Sequence, residues 1–359
     1  MKGESVFFYA FDVANEIQTS EIREVPGFKP LAVDVLTDHT YPKDVPLYKP
    51  LAIEPESSTF TLGQRAVRLI LRIYDVGVLS VVARLPWEVS NLKDLSLMHT
   101  PRLDNGQLLD QVARQLCADA CRGLTEMMIQ ASVPSEPEAY TIFCITELEG
   151  VCDVNSWLAQ QRRHVAGLLA ETDPEVLSDA QISETLRVQR SFSHTDVVVI
   201  DWDAAILVDL DGYVDDVLYV LELANLQLEE YRHMDQRLDR YLTCAYEDVQ
   251  RRRFGIFGTY TRILRKLRLF RVDVTRLNDE VSHIGKFLGD WFLARVYIGA
   301  SERFYLDHWR SSIEQRLDQL DKLYNVVNSE VTNRRLLWLE ILIVIFFAVD
   351  LLLLVLLKR

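Results

Sequence analysis

LLWLEILIVIFFAVDLLLLVLL, residues 336–357, is the stretch on which the reading of the fold turns. At ~1.5 Å rise per residue a helix of this length reaches across a ~30 Å hydrocarbon core. Arg334 and Arg335 stand before it, Lys358 and Arg359 after it, and Trp338 lies where an interfacial aromatic belongs. The stretch reads as one C-terminal transmembrane helix, a tail anchor. The N-terminal MKGESVFFYAFDVANEI has a short apolar run broken by Asp12 and carries Glu4, so it does not read as a cleavable signal peptide. A single-pass membrane location with a cytoplasmic N-terminal domain is therefore expected, with membrane lipids as partners. Glu340 and Asp350 are costly in such a helix, by ~2–3 kcal/mol for an acid near the centre. They are expected to be intramembrane polar contacts, which favours a homo-oligomer.

Working back from this stretch, the same helix is expected to start near residue 304. Its stripe is Leu306, Trp309, Ile313, Leu317, Leu320, Tyr324, Val327 and Val331, the seam of a coiled coil. Residues 213–250 and 272–301 have helical periodicity too, so 211–335 reads as a long-helix hairpin stalk. Between these helices lies RRRFGIFGTYTRILRKLRLFR, residues 251–271. It contains Arg251, Arg252, Arg253, Arg262, Arg265, Lys266, Arg268 and Arg271 and no acid, in a chain of net charge −14. An antiparallel hairpin would set residue 272 level with about residue 334, so this amphipathic basic turn is expected to contact a membrane surface or another anionic ligand. RNA or ribosome contact is the competing reading of the same charge.

Residues 1–210 read as an α+β domain with a mainly antiparallel sheet. Strands are expected at 4–13 and 139–148, and hairpins at 66–73/78–85 and 195–201/204–210. Helices are expected at 106–131 and, in two pieces, at 153–188. Six prolines within 24–58 mark an extended loop. The fold class is thus α+β: an N-terminal antiparallel sheet with helices (1–210), a helical stalk (211–335) and one C-terminal transmembrane helix (336–357).

The net charge of −14 argues against a chain-wide nucleic-acid or anionic-lipid surface. Five cysteines without a CxxC pair suit a reducing compartment. No GxxxxGK[ST], GxGxxG, GxSxG or HExxH motif occurs. Two helical E-x-x-H pairs, Glu230/His233 and Glu280/His283, are weak metal-ligand candidates of the kind used in di-iron bundles. The acid cluster Asp196, Asp201, Asp203, Asp209, Asp211, Asp215 and Asp216 lacks EF-hand spacing. No cofactor is expected.

The pattern Arg334, Leu339-Glu340, ILIVIFFAV and Asp350, behind the leucine-spaced WRSSIEQRLDQLDKLYNVV, resembles the YagE-like family. That family includes the "required for meiotic nuclear division" and sporulation proteins. The likeness covers about residues 290–357, with Asn333-Arg334-Arg335 where the family has His-Arg-His. It implies a membrane-tethered, non-enzymatic scaffold, with a protein or ribosome partner. The layout is also similar to CorA-type magnesium channels, which implies ion transport as an alternative, but the second span and the Gly-Met-Asn motif are missing. A metal-binding or hydrolytic enzyme using the E-x-x-H pairs is the remaining alternative.

Overall fold

The run ESVFFYAFD forms the middle of a wide sheet because both of its faces are apolar, which only a strand covered on both sides tolerates. The computed structural model describes residues 1–31, 49–56, 60–134, 136–250, 270–272, 274–275 and 291–357. Its strands are β1 (Lys2–Asp12), β2 (Glu16–Ile17), β3 (Phe28–Leu31), β4 (Leu51–Pro55), β5 (Phe60–Leu62), β6 (Arg65–Ile73), β7 (Val78–Glu88), β8 (Met128–Ile129), β9 (Glu138–Glu147), β10 (Val188–Arg190), β11 (Asp196–Ile200) and β12 (Ala204–Asp209). Its helices are α1 (Leu109–Leu124), α2 (Val154–Leu169), α3 (Asp179–Thr185), α4 (Val214–Gln250), α5 (Trp291–Arg303) and α6 (Leu306–Leu357). Ten strands make one sheet in the order β10-β11-β12-β9-β1-β7-β6-β4-β3, with β5 beside β6. All its pairings are antiparallel except β12 with β9.

Alternation of side chains along each strand sorts this sheet into two covered faces. Phe7, Tyr9 and Phe11 of β1 join α1 in one core, while Phe143, Val199 and Ile206 join α2 and α3 in its continuation. The opposite face carries Val6, Phe8, Ile142 and Leu207, all buried. Ion pairs from Arg72 to Glu222 and from Arg84 to Asp215 tie α4 to that face. α5 lies against β10 and β11, where Gly299 is obligatory: a Cβ would come within 2.8 Å of Val188 Cγ1. In the β6–β7 hairpin, Gly77 has φ +91°, and a Cβ there would meet the Ala14 carbonyl oxygen at 2.0 Å. Glycine avoids both costs.

Two hairpins, the strand after residue 138 and the α1 periodicity appear where the sequence places them. The proline-rich stretch differs, since Pro30 and Pro55 sit inside β3 and β4. β3 is the last strand of the sheet, and an edge position spares Pro30 the amide it lacks.

The chain divides into two compact units. The first holds residues 1–233 and 280–308: the sheet, both helix layers and α5. α5, read from its periodicity as part of a stalk, thus packs on the sheet. The second holds 234–279 and 309–359. There Ile313, Leu317 and Leu320 of the α6 seam are buried, as are Phe270 and Val274. Arg316 pairs with Asp235 and Asp239, and Tyr241 meets the Phe270 ring edge-on at 5.8 Å.

Two expectations are corrected here. Among the described residues no helix is long and apolar enough to cross a membrane. The transmembrane tail anchor and the single-pass membrane location therefore do not stand. The run read from the sequence includes 351–357, whose side chains lie outside the described residues. The part that is described, Leu336–Asp350, is fifteen residues long. It carries Glu340 and Asp350, both costly in a hydrocarbon core. The second correction concerns the level of the basic turn. Arg271 bonds Asp318 and Asp321, both at 2.9 Å, so residue 271 lies beside residues 318–321 of α6, not beside residue 334.

Candidate functional site

The side of α4 toward the sheet carries a polar stripe within its apolar packing. Glu222, Asn225, Glu229 and His233 recur at helical spacing and are all buried. Glu222, fully buried, pairs with Arg72 of β6. Asn225 Nδ2 donates to the Glu138 carbonyl at 3.3 Å, Arg232 pairs with the Glu138 carboxylate, and His233 Nδ1 lies 3.6 Å from Asp12 Oδ1. Gln227 accepts the Tyr297 hydroxyl at 2.5 Å, which joins α4 to α5. Burial pushes Tyr74 well above its ordinary range, with the Glu222 charge adding to it. Arg72 Nε and Glu222 Oε1 remain without hydrogen bonds, so the pair is joined by a single leg.

The Glu230/His233 pair sits inside this seam, with Glu230 also buried. Glu280 and His283 lie outside the described residues. Among the described residues no group of three His, Cys, Asp or Glu side chains could hold a metal ion. The cysteines Cys117, Cys121, Cys144 and Cys152 are free.

The acid cluster is absorbed by turns and ion pairs. Asp196 accepts the Phe192 amide at 2.9 Å and the Ser193 hydroxyl at 2.6 Å. Asp209 accepts the amides of Asp211 and Gly212, and Asp211 accepts the Thr195 hydroxyl. Asp201 is bound by Arg303, which also reaches Glu184 at 2.8 Å and so fixes the end of α5 to the sheet. Asp203 is exposed at the surface. Desolvation first, then the charges of Glu171 and Asp201, raise its carboxyl above the ordinary range.

A cleft of about 350 Å³ opens between the short helix Leu92–Met98 and the C-terminal end of α2. A second, of about 190 Å³, lies between β1, β9 and the start of α1. His99 and Thr100 line both. The His99 side chain is only 5% exposed. Its Nε2 is 2.8 Å from the Leu168 carbonyl oxygen, and its ring packs edge-on against Phe143 at 5.0 Å. Nδ1 is 2.9 Å from Glu171 Oε1. Glu171 has φ +50°, left-handed backbone unusual for a side-chain-bearing residue. Gly167 closes the cleft floor, where a Cβ would meet Pro174 Cγ at 2.6 Å. Sequence reading missed His99. A histidine before Thr-Pro carries no spacing signal, and its neighbours come from elements 69 and 72 residues away.

The third feature is α6 between Leu336 and Asp350. Every residue there is exposed, and only Glu340 and Asp350 are polar. Large side chains stand open, among them Trp338 at 65%, Phe346 at 67% and Phe347 at 69%. Of the basic turn, Arg271 is the described member, paired as above. Arg251, Arg252, Arg253, Arg262, Arg265, Lys266 and Arg268 lie outside the described residues.

The chain matches the family model described as "Uncharacterized protein MJ0711, N-terminal domain" over residues 2–215. That is more than half its length, and the chain belongs to this family. It is 23% identical over 216 residues to "Uncharacterized protein MJ0711" of Methanocaldococcus jannaschii, covering 60% of this chain and 65% of that protein. The chain thus spans just under two thirds of the curated relative it matches. No solved structure matches. The resemblance to the YagE-like family is corrected by these findings. The matching family is a different one, and it matches the N-terminal sheet, not residues 290–357.

Proposed function

We propose that this member of the MJ0711 N-terminal-domain family is a non-enzymatic assembly scaffold that associates with further copies of itself through α6. The observation that carries the reading is the exposed apolar run Leu336–Asp350. A patch of this size on a soluble surface marks an interaction site. The α6 seam favours a second copy as the covering. Ile313, Leu317 and Leu320 are buried within the chain, and steps of three and four carry the same register on to Trp338, Ile341 and Ile345, all exposed. Each of these side chains gains ~1.5–3 kcal/mol when fully buried, so a few pairs suffice for a stable contact.

Two observations support a non-catalytic role for the sheet unit. Asp196, Asp201, Asp209 and Asp215 are engaged in turns and ion pairs, and Glu230/His233 is buried in a packing seam. Sedimentation equilibrium of the full chain tests the proposal. Concentration-dependent association that Ile341→Arg with Ile345→Arg abolishes is the expected result. A chain that stays monomeric, and instead floats with lipid vesicles, would refute self-association.

A further inference from the structure

The narrower cleft, of about 190 Å³ between β1, β9 and the start of α1, is walled by Phe7, Pro101, Leu108 and Leu109. An apolar cavity of about 150 Å³ is enough to take up one benzene ring. Two hydroxyls stand among these apolar walls. Side chains alternate along β1, so Tyr9 points to the same side of the sheet as Phe7, and Thr141 of β9 lies directly opposite Phe7. Tyr9 is 6% exposed and Thr141 9%, and both line the cleft. Among the described residues neither hydroxyl makes a hydrogen bond, although a buried hydroxyl ordinarily finds a partner. Burial pushes the Tyr9 hydroxyl far above its ordinary range, with the Asp110 charge adding to it, so the group keeps its proton and is a donor.

Asp110 lines the same space from the first turn of α1. Its Oδ1 takes the Gln111 amide at 2.7 Å. Its Oδ2 comes only within 3.9 Å of Arg114, beyond hydrogen-bond range, and Arg114 is held by Glu136 at 2.7 Å. The cleft thus joins two unspent donors and one unspent acceptor to a pocket of ring size. A water between the hydroxyls fills only ~30 Å³ and leaves the apolar walls bare. A ligand that suits the whole cleft brings an apolar body together with one polar group, the pattern of small-molecule sites.

We infer that this cleft binds a small single-ring compound carrying one hydroxyl, a phenol or a cyclic alcohol. Its ring lies against Phe7, Leu108 and Leu109. Its oxygen accepts from Tyr9 and Thr141, and its proton goes to Asp110 Oδ2. A hydroxyl has the one donor and two acceptor sites that these three groups call for.

The test uses the full chain with phenol, cyclohexanol and benzene as probes, followed by calorimetry and by the methyl resonances of Leu108 and Leu109. A Kd of ~1 mM for phenol or cyclohexanol is expected, a scale that ligand-efficiency bounds allow for so few atoms. Binding of phenol alone marks an aromatic ligand, and of cyclohexanol alone a saturated one. Benzene, which has no hydroxyl, should bind about tenfold more weakly. Tyr9→Phe deletes a hydroxyl that bonds nothing within the fold. It should leave the thermal midpoint and benzene binding unchanged and weaken the hydroxylated probe about tenfold. Three results would each overturn the inference: neither hydroxylated probe moving the methyl resonances at roughly 10 mM, benzene binding as tightly as they do, or Tyr9→Phe binding them as well as wild type.

Discussion

Removing the Glu222 carboxylate should cost far more than removing both partners of its ion pair. Glu222 has no exposed side-chain surface and Arg72 only 16%. Glu222→Ala leaves a guanidinium between α4 and the sheet with no counter-charge. Loss of one partner from a buried pair costs about 3–5 kcal/mol, whereas replacing both by apolar groups of similar size is often neutral or stabilising. The single leg joining this pair, with Arg72 Nε and Glu222 Oε1 left over, puts it toward the replaceable end of that range. With a urea m-value of ~3 kcal/mol/M, Glu222→Ala should lower the unfolding midpoint by about 1–1.7 M. Arg72→Met with Glu222→Leu should return to within about 0.3 M of wild type. A Glu222→Ala shift too small to measure, or a double variant as destabilised as the single one, would refute the claim that the cost lies in leaving Arg72 buried without its counter-charge.

Arg303→Ala strips Asp201, itself only 8% exposed, of its partner and frees the end of α5. A loss of about 3 kcal/mol in urea unfolding is expected. Asp203 has a folded-state pKa above its unfolded value. Its contribution is therefore fully present below about pH 4 and is lost as pH rises through the folded value. Asp203→Asn should raise the thermal midpoint at pH 7 and leave it nearly unchanged at pH 3.5, by scanning calorimetry at both. If α6 self-associates, Glu340 and Asp350 lose water on assembly, which costs free energy for a charged group. Glu340→Gln with Asp350→Asn should therefore tighten association at pH 7, by sedimentation velocity.

Elements with strong local patterns were legible in the sequence. The β6–β7 and β11–β12 hairpins, β9 and the length of α4 all follow from short-range periodicity and turn residues. The polar stripe of α4 was not: Glu222, Asn225 and His233 look like a solvated stripe until β6, β9 and β1 supply their partners from 87 to 221 residues away. Pro30 and Pro55 read as loop because Pro30's place on the edge strand, and Pro55's at the end of the strand beside it, depend on strand order. α5 read as stalk because its 3.6-residue period does not say which surface it meets, and Gly299 against Val188 decides that. The His99 cleft draws on three separate segments and left no motif.

The central claim is that exposed α6 between Leu336 and Asp350 joins copies of the chain. Sedimentation equilibrium of the full chain in detergent-free buffer, beside the Ile341→Arg/Ile345→Arg variant, tests it most directly. A wild-type mass at or above that of a dimer, twice 41.5 kDa, and a monomeric variant are expected. A wild-type mass of 41.5 kDa at every concentration, or a variant that associates as tightly as wild type, would contradict it.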